Sequence, residues 1–160
     1  MRIRVTPDEF AWIIESLPEK MEKAIVRGLR SAAHRMWGFV VEEIDTAKPY
    51  PAVDRGELRS SVGVTSVPDG ADVHVDAPHA PFLEWGTRPH WPPFEPIYHW
   101  VQRKGLAADP DEAEDVARAV QLKIAMFGTE PRGYMAKAYQ RTLDIVMEEI
   151  EHELERMRTR

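Results

Sequence analysis

Ser61-Val62-Gly63-Val64-Thr65-Ser66-Val67-Pro68-Asp69-Gly70-Ala71-Asp72-Val73-His74-Val75 is where the period of the chain changes from helical to two. Val62 and Val64, with Ser66 after them, fall on one face of an extended segment. Pro68-Asp69-Gly70 turns the backbone, and Val73 and Val75 line the return strand. The stretch predicts a β-hairpin. Arg2-Ile3-Arg4-Val5-Thr6 also alternates and predicts an edge strand at the N-terminus.

Helical patterns surround the hairpin. Thr6-Pro7-Asp8-Glu9 has the form of a helix start, with Thr6 as N-cap and Pro7 in the first turn, and predicts a short helix to about Leu17. Pro18 opens a second, longer one over about 18–46. In it Met21, Ile25, Leu29, Ala32, Met36, Val40 and Ile44 recur every three or four residues. Met36, Trp37 and Phe39 are expected to face the core or an interface. Lys48-Pro49-Tyr50-Pro51 stops this helix, because proline lacks the amide donor and disfavours helix for the residue before it. Asp54-Arg55-Gly56-Glu57 has capping-box spacing and predicts one turn over 55–60, with Leu58 inward.

Downstream of the hairpin, Ala80 to Thr87 reads as one helical turn closed by Gly86, and Trp91-Pro92-Pro93 as an extended linker. Phe94 to Lys104 predicts a short helix. Asp109-Pro110 begins another that runs through Val116, Val120 and Ile124 to Gly128, its acids crowded where the helix dipole favours negative charge. A last helix, from about Tyr134 to Met157, carries Ala138, Leu143, Val146 or Met147, Ile150 and Leu154. The fold class is α+β. At 160 residues one domain is expected over 1–160, with the helices of about 94–128 as an insertion.

Composition narrows the function classes. Hydrophobic residues at 43% and charged residues at 30% describe a folding chain. With no cysteine, thiol nucleophiles, disulfides and thiolate metal sites are excluded. A net charge of -6 argues against a dedicated nucleic-acid binder, whose affinity rests on Lys and Arg. Met1-Arg2-Ile3-Arg4 leads into no apolar signal core, and no stretch approaches the roughly 20 apolar residues of a membrane span, so synthesis without export is expected.

Catalytic patterns are sparse. His74, His79, His90 and His99 cluster in sequence, yet no His-Glu-x-x-His pair or His-x-His is present. No serine sits in a Gly-x-Ser-x-Gly elbow and no glycine-rich phosphate loop occurs. Glu148, Glu149, Glu151, Glu153 and Glu155 read as a solvated helix face. Glu84 stands apart between Phe82, Leu83 and Trp85. A carboxylate in that setting is expected to pair with a cation, Arg59 or Arg88, the alternative being a general acid with a raised pKa.

Three segments together resemble a known family. Pro51-Ala52-Val53-Asp54-Arg55-Gly56-Glu57-Leu58-Arg59-Ser60-Ser61-Val62 is similar to the Pro-Val-Asp-Thr-Gly-x-Leu-x-x-Ser-Ile signature of phage head-to-tail joining, or tail-completion, proteins. This is the broad group of minor tail protein Z of lambdoid phages. Ala80-Pro81-Phe82-Leu83-Glu84-Trp85-Gly86-Thr87 resembles that family's Ala-x-Tyr-Val-Glu-Phe-Gly-Thr. Glu130-Pro131-Arg132-Gly133-Tyr134-Met135-Ala136-Lys137-Ala138 resembles its Arg-Pro-Phe-Leu-x-x-Ala entry into the closing helix. Arg55 replaces the usual Thr, one extra residue separates Pro51 from Asp54, and Gly133 interrupts the third motif.

The resemblance implies a long helix and a closing helix packed on a small antiparallel sheet, in a structural virion protein at the neck of a long-tailed phage. Copies are expected to form a ring, of six, that completes the tail. Partners would be head-side connector or portal-adaptor proteins, the tail tube or tail terminator, and genomic DNA passing without specific binding; no membrane or cofactor is expected. Asp54, Gly56, Leu58, Arg59, Ser60, Phe82, Glu84, Trp85, Gly86 and Thr87 would then be structural: Asp54 caps a turn, Gly56 and Gly86 permit the backbone, and Leu58, Phe82 and Trp85 fill the space between sheet and helix. No catalytic, cofactor or metal residue is assigned. The alternatives are a metal-dependent hydrolase using His79, His90, Glu84 and Asp76, and a cytosolic regulatory module that binds a partner protein.

Overall fold

The computed structural model describes residues 1–5, 19–47 and 54–158. The expected helix of Thr6 to Leu17, its successor's start at Pro18, the Lys48 to Pro51 stop and the Pro51 to Val53 part of the first motif lie outside the described residues. The chain is α+β, in the order β1 (Arg2–Val5), α1 (Glu19–Thr46), α2 (Glu57–Ser60), β2 (Val62–Val67), β3 (Gly70–Val75), α3 (Ala80–Trp85), α4 (Phe94–Arg103), α5 (Pro110–Phe127) and α6 (Tyr134–Arg158). It divides into two compact units, Met1–Ala80 with Gly133–Arg160, and Pro81–Arg132.

In the first unit, β3 is the central strand of an antiparallel sheet of order β1-β3-β2. Val62 faces Val75 and Val64 faces Val73 across the hairpin, and Ile3 pairs with Val73 from the other edge. The turn has two residues, Pro68 and Asp69, between the paired Val67 and Gly70. Among the described residues only glycines have positive φ, so this turn is not of the primed kind that matches strand twist. Arg30 of α1 braces it instead, donating to Val67 O at 2.8 Å and Gly70 O at 3.1 Å.

α1 lies on this sheet and along α6. Leu29, Ala32, Met36, Val40 and Ile44 are buried as the periodicity predicts, whereas Met21 and Ile25 are half-buried and Ala24, Gly28 and Ala33 join the core in their place. Small residues let the two long helices approach. A Cβ on Gly28 would stand 2.6 Å from the Cα of Ile150. On α6 the buried positions are Tyr134, Met135, Ala138 and Thr142. Of the residues in the α6 pattern, Leu143 and Met147 are exposed at 46% and 60%, whereas Val146, the alternative to Met147, is half-buried. Trp37 is likewise 43% exposed, its indole N–H donating to Val62 O at 3.1 Å. Phe39 is half-buried beneath the Arg141 guanidinium, 4.1 Å from the ring centroid.

The glutamates expected to form a solvated face are divided. Glu149 accepts from Ser31 at 2.6 Å and pairs with Arg35 at 2.7 Å, and Glu153 pairs with Arg27 at 3.0 Å and Arg156 at 2.7 Å. Hydrogen bonds from Ser31 and Arg35 hold the Glu149 carboxyl below the usual carboxylate range. At Glu153 burial works upward but is outweighed by Arg27 and Arg156, and the net shift is also down. Arg141 adds pairs to Glu42 at 2.7 Å and Glu43 at 3.2 Å. The seam is thus a helix pair with small residues inside and ion pairs along its border.

In the second unit α4 packs on α5 around Val101, Ala113 and Ala117. Asp109 caps α5 by accepting from the Glu112 amide at 2.8 Å, with Pro110 behind it in the first turn. The buried stripe of α5 is Ala113, Ala117 and Gln121, so the expected Val116, Val120 and Ile124 are its half-buried flank.

Candidate functional site

The motif around Asp54 is built differently from a capping box. α2 starts at Glu57, and its N-cap is Gly56, in left-handed conformation with φ 82° and no side-chain cap. Asp54 precedes the cap by two residues, so Glu57 is in the first helical position and not the third, which a capping box requires; Asp54 is not left without a partner. Leu58 is buried as expected. Arg59, one of the two cations proposed for Glu84, pairs with Asp45 at 3.3 Å. Ser60 bonds back to Glu57 O at 3.1 Å.

The second motif forms the turn α3. Ala80 and Glu84, four residues apart on one face, are buried at 0% and 2% exposure. Phe82 and Trp85 fall on the other face and are 60% and 64% exposed, so they do not fill space beneath the sheet. Glu84 is therefore shielded without them, and it is not left without a partner. Gly86 follows with φ 71°, and a Cβ there would run into Thr129 O. Thr87 and Thr129 exchange backbone bonds at 3.1 and 3.2 Å, with their hydroxyls 3.0 Å apart. Gly128 packs on Thr87 O in the same way. The loop that holds α4 and α5 is closed by this clasp of two Gly-Thr dipeptides.

Beyond the clasp, residues 85–92 form a strap along the second half of α5. His90 N–H reaches Ile124 O at 3.5 Å, and the Gln121 amide donates to Pro92 O at 2.8 Å. Trp85 and Trp91 of the strap are exposed, and so are Leu122, Met126 and Phe127 of α5. Sequence periodicity missed the exposure of these side chains. A helix bearing apolar residues on two faces shows one blurred stripe, and only packing tells which is inside.

Among the described residues no three His, Asp or Glu side chains are placed to hold a metal ion. Asp76 stands 3.4 Å from His74, and His90 Nδ1 meets Arg88 O at 2.9 Å. His74 leans over Gly63, where a Cβ would lie 2.6 Å from its Nε2, and its buried Nδ1 has no hydrogen-bond partner among the described residues.

Compared with family models, curated proteins and solved structures, the chain matches none.

Among the described residues no helix is long and apolar enough to cross a membrane.

Proposed function

We propose that this protein is a structural, non-enzymatic subunit of a long-tailed phage virion, a ring component at the head-tail joint that completes the tail. The observation that carries the reading is the build of the Ala80 to Thr87 motif. Ala80, Glu84 and Gly86 anchor it, while Phe82 and Trp85 are held outward at 60% and 64% exposure. Large aromatics held in solvent by a rigid turn are stable only in part without a covering partner, and repeated copies supply one. The α+β class, with a long N-terminal helix and a closing helix, is the one the three sequence motifs imply, although only α1 lies on the antiparallel sheet and α6 packs along α1.

In this reading the ring contacts head-side connector proteins on one side and the tail tube or its terminator on the other, and DNA passes through it unbound. The test is imaging of the purified protein and of particles made without it. Closed rings, and full heads lacking tails, are expected. Tailed, infectious particles made without the protein would overturn the reading.

A further inference from the structure

β2 is an edge strand, since the sheet order is β1-β3-β2. The register of the hairpin fixes which of its backbone groups face out. Val67 closes the turn against Gly70, and Ser61 O accepts from Asp76 N at 3.2 Å. The residues that exchange bonds with β3 are therefore Gly63, Thr65 and Val67, while Val62, Val64 and Ser66 turn their amides and carbonyls away from the sheet. α1 occupies both ends of this outer edge. The Trp37 indole donates to Val62 O at 3.1 Å, and Arg30 donates to Val67 O at 2.8 Å and Pro68 O at 3.5 Å. Between them the outward groups of Val64 and Ser66 make no hydrogen bond among the described residues. Thr65 and Ser66 are exposed, and Trp37 beside them is 43% exposed. Nothing blunts the edge: Val62–Val67 holds no charge and no proline, and its pairing with β3 is continuous, without a bulge.

We infer that this edge pairs, antiparallel, with the same edge of a second copy, about a two-fold axis at Thr65. The register follows from the groups left open. Thr65 opposite Thr65 puts Val64 opposite Ser66 of the second copy, so each open amide meets an open carbonyl, and Val62 O and Val67 O keep their bonds to α1. Centring the pair on Val64 would set Ser66 against Val62, whose carbonyl Trp37 already holds. Centring it on Ser66 would set Val64 against Pro68, which has no amide.

The occupant is a second copy because the strand fits itself. It carries no charge to repel its own image, and Thr-Thr is a favourable cross-strand pair. The same register places Val62, with Trp37 above it, opposite Pro68 of the second copy, whose carbonyl Arg30 holds. Each exposed indole thereby gains an apolar and a cationic neighbour. Spacing permits this. With neighbouring strands about 4.8 Å apart, the two β3 strands stand about 14 Å from each other. α1 lies over β3 and β2, so the two α1 helices flank a gap wider than the roughly 8 to 10 Å of close helix packing, with room for these side chains. The inference goes beyond the neck reading and does not rest on it, since a two-fold contact is not the repeated head-to-tail contact that closes a ring.

The experiment is sedimentation velocity of the full chain from micromolar to millimolar concentration. The wild type is expected to dimerise. Thr65→Lys and Thr65→Glu each set like charges across the two-fold and are expected to weaken the dimer by about tenfold or more. Mixed, they set Lys against Glu, and a 1:1 heterodimer is expected at concentrations where each alone is monomeric. Ser66→Pro removes an outward amide that the pairing with β3 does not use, so it is expected to keep the fold by circular dichroism and to lose the dimer.

A wild type that stays monomeric to millimolar concentration overturns the inference. So do Thr65 variants that each dimerise as the wild type does, a folded Ser66→Pro protein that still dimerises, or a mixture without heterodimer beside a dimeric wild type. Larger species indifferent to all three changes would assign association to another face. A heterodimer from the mixture, with tailed particles made without the protein, would keep this contact and remove the neck role.

Discussion

Glu84 is 2% exposed on a turn whose neighbours Phe82 and Trp85 face solvent. Its burial was legible from the apolar residues around it, but for the wrong reason. On a helix, neighbours one or two positions away point elsewhere; the residue that shares Glu84's face is Ala80, four positions back. A carboxylate this deep with a partner is costly to disturb, since the side chain stays buried after the change with its interaction weakened. Glu84→Gln keeps the shape and removes the charge, and is expected to lower stability by about 1 to 3 kcal/mol. Urea unfolding of the two proteins checks it: an unchanged midpoint would mean that the charge contributes nothing to the fold.

At the scale of elements, helix existence was readable almost throughout, because a 3.6 period and its stop residues are local properties. Which face turns inward is not local. Leu143 and Met147 fit the α6 pattern and are exposed, while Thr142 beside them is buried, its hydroxyl satisfied by Ala138 O at 2.8 Å. Two glycines of α1 separate propensity from packing. A Cβ at Gly28 would meet the Ile150 backbone, whereas at Gly38 nothing among the described residues lies within 4 Å of that position. Gly28→Ala is expected to cost about 1 to 3 kcal/mol by forcing the helices apart. Gly38→Ala is expected to add about 0.5 to 1 kcal/mol through reduced backbone freedom. Opposite shifts in thermal midpoint are the required outcome.

The same helix pair predicts a pH dependence. The Glu149 carboxyl is lowered by Ser31 and Arg35, so folding stabilises its charged form. That contribution is fully present above the unfolded carboxylate range near about 4.3 and is lost as pH falls through the lower folded value. The melting temperature is expected to drop between about pH 5 and pH 3, and Glu149→Gln to make that drop shallower. A variant with an unaltered slope would show that the seam is held by packing alone.

For the whole molecule, charge decides the relation to DNA. Sequence alone could count 27 acidic against 21 basic residues, but not say where the basic ones are spent. Arg27, Arg30 and Arg35, spaced along α1, have the makings of a basic stripe. Arg27 and Arg35 instead pair with Glu153 and Glu149 of α6, and Arg30 holds the carbonyls of the hairpin turn. An arginine already satisfied within the fold gains little by meeting phosphate, because it must first give up its partner. A conduit for DNA also works best without grip, since each Lys or Arg contact adds affinity and with it friction. The protein is therefore expected to show no binding to duplex DNA at micromolar concentration, even at low salt. Glu149→Gln together with Glu153→Gln, which releases Arg35 and Arg27, is expected to introduce weak binding that disappears as salt rises. Fluorescence anisotropy with a labelled duplex, repeated across a salt series, measures both. Tight wild-type binding with a steep salt slope would mean that a basic surface is free for DNA and that the passive-conduit reading is wrong.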